Sequence, residues 1–252
     1  MDKFQWNYKD DYLSFFSTRL SKLNIMLLKQ YFIDFVNLIF PKVCYCCNEQ
    51  LLNNEELICT KCYIDLPRII VNDNENPVEK VFWGRVKTEK VFSFVQYAKG
   101  GKFQDLIHQL KYKGKKEIGF GFGKRFAKEV KNELKDIDII IPVPLHWRKF
   151  KKRGFNQAEE IAKGIAEVLN KPLNTKDLKR IIENPTQTRK SRYHRWENVE
   201  GIFAVKEGNS LSNKHVLLVD DVLTTGATLE ACAMALQHEV NMRISIFTLG
   251  YA

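Results

Sequence analysis

At 252 residues, with a formal net charge of +10 and 44% hydrophobic residues, the chain is long enough for one well-buried core plus a small extra module, and its apolar content is that of an ordinary globular protein. No apolar run approaches the ~20 residues of a membrane span. The N-terminus carries Asp2, Asp10 and Asp11 and lacks an apolar stretch with a cleavage site, so it does not read as a secretory signal and a cytoplasmic protein is expected.

A pI near 9.2 suits phosphate-bearing ligands, nucleic acid included, but selects none of them. Residues 1–23 are mixed and place no element. Asn24 to Phe40 predicts a helix, with Leu27, Leu28, Tyr31, Phe32, Phe35, Leu38 and Ile39 on one broad face and Pro41 as the stop. That face needs a partner, and the module after it is the expected one. Met26 is itself a plausible start, which makes the first residues read as an appendage.

Next come Cys44, Cys46 and Cys47, then Cys59 and Cys62. Cys44, Cys47, Cys59 and Cys62 form C-x2-C, a gap of eleven residues, and C-x2-C. Two such knuckles present four thiolates to one tetrahedral zinc. Five of the six cysteines fall here, and a cytoplasmic chain would not use them as a disulfide framework. The competing readings are a redox pair or loose thiols. Cys46 is surplus and can replace a neighbour as ligand. Nothing supplies an open coordination position, so the zinc reads as structural.

Residues 71–77 read as a linker. Val91 to Ala98 predicts a strand, broken by Gly100 and Gly101. Phe103, Leu106, Ile107 and Leu110 recur at helical spacing, and the helix ends in Lys111, Tyr112, Lys113 and Gly114. Lysines suit the negative end of the helix dipole and glycine suits the stop, a role preferred here over ligand contact. Gly119, Gly121 and Gly123 then alternate ahead of a predicted helix from Lys124 to Leu134. Lys124 stands where a third glycine would complete G-x-G-x-x-G, and no G-x4-G-K-[ST] occurs, so dinucleotide and P-loop binding are unsupported.

Ile137 to Val143 predicts a second apolar strand, with Pro142 and Pro144 forcing extended backbone and a turn at its end. A helix is expected from about Asn156 to Leu169, burying Ala158, Ile161, Ala162, Ile165 and Leu169. Between them, residues 148–153 hold five basic residues in six positions. Ligands of open α/β sheets sit at the carboxyl ends of the strands, so this basic loop competes evenly between a solvated charge run and a support for an anionic ligand. Residues 186–201 are polar and basic and read as a loop able to close over a polyanion, or as a basic surface for nucleic acid.

Val216 to Val219 is a short unbroken apolar run, as in a strand covered on both faces. Asp220 and Asp221 are expected where that strand ends. Thr224, Thr225, Gly226, Ala227 and Thr228 form a hydroxyl-rich turn, and Leu229 to Leu236 reads as a buried helix. A turn feeding a helix N-terminus directs N–H groups and a positive dipole end at a phosphate. Gly226 can supply a positive φ. The two carboxylates can accept from ribose hydroxyls and help place a divalent ion. The bland alternative is an N-capped helix after a strand.

The stretch DDVLTTGAT resembles the signature of the type I phosphoribosyltransferases, which bind 5-phosphoribosyl 1-pyrophosphate. The resemblance implies that the acids hold the ribose hydroxyls, the loop holds the 5′-phosphate, and magnesium accompanies the ligand. Together with IPVPLHWRKFKKRGFNQAEEIAK, TQTRKSRYHRWENVEGIF and the four-cysteine start, it closely resembles the ComF family, which joins a zinc module to a phosphoribosyltransferase domain and is associated with natural transformation and incoming single-stranded DNA. Carried across, Cys44, Cys47, Cys59 and Cys62 take the zinc. Asp220, Asp221, Leu223, Thr224, Thr225, Gly226, Ala227 and Thr228 take the ribose phosphate. Val143, Pro144 and Leu145 fall where the pyrophosphate loop belongs, and Arg153, Gly154, Phe155, Asn156 and Gln157 match the family's own box. The sequence departs in its extra length before the zinc module, and no pattern identifies an acceptor base.

The expected fold is α/β, the type I phosphoribosyltransferase fold: a mostly parallel sheet flanked by helices, with a small N-terminal four-cysteine zinc module. The expected organisation is a helical segment over 1–40, the zinc module over 41–70 and the phosphoribosyltransferase-like domain over 85–252. Two functions follow. One is a phosphoribosyltransferase in DNA uptake that displaces pyrophosphate. The other is a non-catalytic accessory protein that senses the sugar phosphate and binds single-stranded DNA, with DNA-uptake or helicase machinery as partner.

Overall fold

The computed structural model describes residues 31, 35–69, 76–97, 100–181, 202–206, 211–238 and 241–252. The chain divides into two compact units, residues 1–44 with 48–59, and residues 45–47 with 60–252.

In the first unit, residues 35–39 are helical. Phe35, Leu38, Ile39 and Phe40 are exposed, so the expected docking of this face is not seen among the described residues. Apart from these and Tyr31, the helix expected from Asn24 lies outside them. Downstream the backbone folds back on itself. Val43 bridges Gln50 in antiparallel sense, and Cys44 N–H donates to Glu49 C=O at 2.8 Å.

The second unit is built on a four-stranded parallel sheet. Its strands are β1 (Val91–Gln96), β2 (Ile139–Pro142), β5 (His215–Leu223) and β6 (Arg243–Tyr251), in the order β1-β6-β5-β2. A two-stranded antiparallel ribbon pairs β3 (Leu178–Arg180) with β4 (Phe203–Val205). The helices are α1 (Thr60–Ile64), α2 (Pro77–Lys80), α3 (Lys102–Tyr112), α4 (Lys116–Glu129), α5 (Trp147–Arg153), α6 (Gln157–Leu169) and α7 (Ala227–Gln237). Parallel neighbours require helical crossovers, which cover both faces of the sheet. Accordingly Val216 to Val219 are fully buried without alternation.

Side chains divide by strand parity. Val216, Leu218, Ile244 and Ile246 pack with Leu229, Cys232, Ala233 and Leu236 of α7 in one core cluster. On the other face Phe247 of β6 stacks on Phe126 of α4, ring centroids 4.0 Å apart, and Phe92 and Phe94 of β1 meet Phe126 and Phe122 edge-on. The expected strands over 91–98 and 137–143 and the expected helix over 156–169 are present, with the strands shorter at their ends.

One expectation is corrected. The helix predicted from Lys124 to Leu134 is α4, which begins at Lys116 and ends at Glu129, so Gly119, Gly121 and Gly123 lie inside it. The reason is close packing. A Cβ on Gly123 would sit 2.2 Å from the carbonyl oxygen of Ile161, and one on Gly164 2.0 Å from that of Phe120. Glycine lets the backbones of α4 and α6 touch, and this contact outweighs its poor helix propensity. No helix among the described residues is long and apolar enough to cross a membrane.

Candidate functional site

Two adjacent strand ends set the site. Pro142 of β2 is paired with Val219 of β5, and Val143 N–H donates to Val219 C=O at 2.8 Å. The residues that follow β2 are thereby held beside Asp220. Val143, Pro144, Leu145, Asp220, Asp221 and Thr228 line one cleft of about 470 Å³. This is the carboxyl-end crevice in which open α/β sheets hold ligands.

The acids do not end their strand as expected. β5 continues through Val222 and Leu223, which pair with Gly250 and Tyr251 of β6. The length of β6 keeps this part of β5 in the ladder, and the sequence of β5 alone does not reveal that. Asp220 and Asp221 are half-buried, and Asp221 N–H donates to Asp220 Oδ1 at 2.8 Å. Burial first, and the neighbouring Asp221 charge second, raise the Asp220 carboxyl to about 7. Behind it in α7, burial and the charge of Asp220 push the Cys232 thiol upward.

The turn after β5 leads into α7, with Gly226 at φ 78° as its N-cap. The first amides of such a helix have no intrahelical acceptor. Thr224 and Thr228 line the cleft. Leu223 is 1% exposed and belongs to the core, and Thr225, Gly226 and Ala227 are absent from the cleft wall. Arg85 fastens the back of the turn. Its Nη1 donates to Thr225 C=O at 2.9 Å and its Nη2 to the Glu230 carboxylate. A Cβ at position 226 would lie 2.8 Å from Val81 Cγ1, so glycine is required by both its φ and this contact.

The segment after β2 is not the irregular basic loop that its composition suggests. Residues 147–153 form α5, N-capped by His146, whose Nδ1 accepts from Arg148 N–H at 3.3 Å. None of its residues is buried, and Trp147 and Phe150 are exposed. α5 closes on Gly154, and Asn156 then caps α6 while its Nδ2 donates to Val143 C=O at 2.9 Å. Arg153 Nη1 donates to Gln157 Oε1 at 2.7 Å. Arg153, Asn156 and Gln157 all line the cleft with Val143, Pro144 and Leu145.

Sequence reasoning missed part of the lining, Tyr97, Ile107, Lys111, Arg180 and Val222, whereas Lys149 belongs to the basic run weighed as a ligand support. For Lys111 the sequence favours the helix-end role over ligand contact, yet its Nζ lies 2.9 Å from Asp221 Oδ2. Arg180 comes from β3, in a region that reads as poor in strands, and no spacing signal marks it. The loop over 186–201, expected to close over a polyanion, lies outside the described residues.

Two metals are implied by the family resemblance, and the donor sets can be tested for each. Among the described residues, Cys44, Cys47, Cys59 and Cys62 form the converging group of metal-ligating side chains, their Sγ atoms all within 4.8 Å of one another. Sulfur at about 2.3 Å from a tetrahedral zinc gives edges of about 3.8 Å, so the four thiols fit. Cys46 is not in the group. In the cleft, two adjacent carboxylates present hard oxygen donors of the kind magnesium takes.

The phosphoribosyl transferase domain family matches residues 151–249. Competence protein ComFC of Bacillus subtilis is 28% identical over 213 residues, 82% of this chain and 83% of that protein. DNA utilization protein YhgH of Salmonella typhimurium is 28% identical over 149 residues, and the match spans 57% of this chain but only 65% of the relative's length. Competence protein F of Haemophilus influenzae is 34% identical over 123 residues, 48% of this chain and 53% of the relative.

Proposed function

We propose, for a chain that belongs to the ComF family of the phosphoribosyltransferase superfamily, that the cleft binds 5-phosphoribosyl 1-pyrophosphate with magnesium and that the protein acts in DNA uptake in the cytoplasm. The observation that carries the reading is the convergence of Asp220 and Asp221 with Val143–Leu145, Thr224 and Thr228 around one cleft at two parallel strand ends. The organisation that goes with it is a helical segment over 1–40, a zinc module over 41–70 and a phosphoribosyltransferase-like domain over 85–252.

In this reading the ribose hydroxyls donate to Asp220 and Asp221. The amides and hydroxyls of the turn over 224–228 take the 5′-phosphate, with Thr225, Gly226 and Ala227 contributing backbone rather than side chains. The backbone of Val143, Pro144 and Leu145 faces the pyrophosphate, Asn156 holds that loop through Val143 C=O, and Arg153, steadied by Gln157, adds positive charge. Leu223 acts by anchoring the turn in the core. Magnesium, when bound with the ligand, neutralises pyrophosphate charge. Transfer from C1 of the ribose needs placement and charge stabilisation more than a dedicated base, and this lining supplies both. The four-cysteine group binds zinc as a structural ion.

The direct test is calorimetry of magnesium and 5-phosphoribosyl 1-pyrophosphate with Asp220→Ala/Asp221→Ala. The wild type is expected to bind and the double variant to lose binding with its fold intact. Unchanged affinity in the variant overturns the site.

One observation favours a second reading, a non-catalytic accessory that binds single-stranded DNA. Exposed Trp147 and Phe150 lie among the basic residues of α5, the combination that stacks bases and holds phosphates. Pyrophosphate release across candidate bases, run beside a salt-titrated DNA-binding curve, separates the two. Turnover with one base supports the enzyme. Ligand binding without turnover, plus DNA affinity falling steeply with salt, supports the accessory.

A further inference from the structure

Lys111 stands at the C-terminal end of α3, where a cation suits the helix dipole without any ligand. Its ammonium nevertheless reaches the acid pair, Nζ lying 2.9 Å from Asp221 Oδ2, with side-chain exposures of only 22% and 13%. Both residues line the cleft. A pair this withdrawn from water escapes most of the screening that makes surface ion pairs weak. Lys111 also lies outside the segment matched by the phosphoribosyl transferase domain family.

We infer that Lys111 is a resident cation of the acid pair, which holds the positive charge beside Asp221 until a divalent ion and a polyanion arrive together. This rests on the reading of the cleft as a site for metal-bound 5-phosphoribosyl 1-pyrophosphate. A divalent ion arriving alone takes Asp221 from the ammonium and leaves Lys111 half-buried without its carboxylate, which is unfavourable. A polyanion arriving alone offers Lys111 new acceptors but sets its own charge beside Asp221, which has then lost its cation. When both arrive, the carboxylate exchanges an ammonium for a divalent ion, and the ammonium exchanges a carboxylate for phosphate oxygens. Every charge then keeps a partner. The two ligands therefore bind with positive linkage, and by reciprocity each tightens the other by the same factor. Lys111 is a positioning residue in this scheme.

The test uses the full-length zinc-loaded chain and Mn²⁺ as a paramagnetic probe, with affinity read from water-proton relaxation with and without saturating 5-phosphoribosyl 1-pyrophosphate. The wild type is expected to bind Mn²⁺ weakly alone, and the sugar phosphate to tighten it by about tenfold or more. Lys111→Met is expected to bind Mn²⁺ alone about tenfold more tightly than the wild type, with the effect of the sugar phosphate reduced accordingly. Lys111→Arg, which keeps the charge, is expected to retain the wild-type pattern. Adding Asp221→Asn to Lys111→Met should abolish the gain. Zinc content and thermal unfolding check the fold of each variant. Unchanged Mn²⁺ affinity in Lys111→Met overturns the inference, as does a gain that survives Asp221→Asn. If the gain appears and depends on Asp221 but the sugar phosphate binds neither protein, the resident cation stands and the reading of the cleft falls.

Discussion

Asp220 carries the most unusual chemistry of any single residue in the cleft. Its carboxyl is raised to about 7, first by burial and then by Asp221, so folding favours the protonated acid. Between about pH 4, where the unfolded carboxyl ionises, and about pH 7, the folded chain binds the extra proton. Stability therefore falls as pH rises through that window and levels above it. In urea titrations across this range, Asp220→Asn is expected to gain on the wild type by about 1–2 kcal/mol as pH rises from 4 to 7, with solvent screening allowed for. A difference that stays flat with pH contradicts the raised carboxyl. Lys111 and Arg180 are the residue-scale surprises. Each lines the cleft from an element distant in sequence, so no local spacing marks it.

Among the elements, the α4–α6 crossing depends most narrowly on residue size. Gly123 and Gly164 each meet a backbone carbonyl oxygen of the other helix, and backbone atoms have no rotamer by which to move aside. Gly123→Ala is expected to destabilise the fold by about 2–3 kcal/mol in urea unfolding, against a gain of up to about 1 kcal/mol for the same change in an uncrowded helix. A neutral or stabilising result shows that the helices can separate. The consequence reaches the site. Asn156 caps α6 and also donates to Val143 C=O, so a displaced α6 moves the loop over 143–145.

For the whole molecule, the metal prediction is the cleanest. Cys44, Cys47, Cys59 and Cys62 converge, and thiolate sites of this kind contribute folding free energy outright. Cys59→Ser/Cys62→Ser is expected to lower zinc from about one ion per chain to none and to make residues 41–70 protease-sensitive. Retained stoichiometric zinc by elemental analysis contradicts the assignment. The sheet domain is expected to stay folded in that variant, because its core rests on β1, β2, β5, β6 and the helices against them. Circular dichroism reads that directly.

The amino-acid sequence alone determined the elements that carry their own apolar pattern and the motifs whose members are neighbours in the chain. α6 is legible because its apolar residues recur at helix spacing, β5 and α7 because they carry apolar runs, and the cysteine knuckles and the turn over 224–228 because their residues lie a few positions apart. The structure alone decided what depends on distant contacts. Glycines at 119, 121 and 123 read as lying ahead of a helix until α6 is found packed against Gly119 and Gly123. Asp220 and Asp221 read as the end of a strand until β6 extends the ladder past them. Lys111 reads as the cap of a helix until its ammonium is found on Asp221. In each case a partner far along the chain reverses a local preference, because close packing, ladder hydrogen bonds and a shielded ion pair each outweigh the small propensity of a single residue.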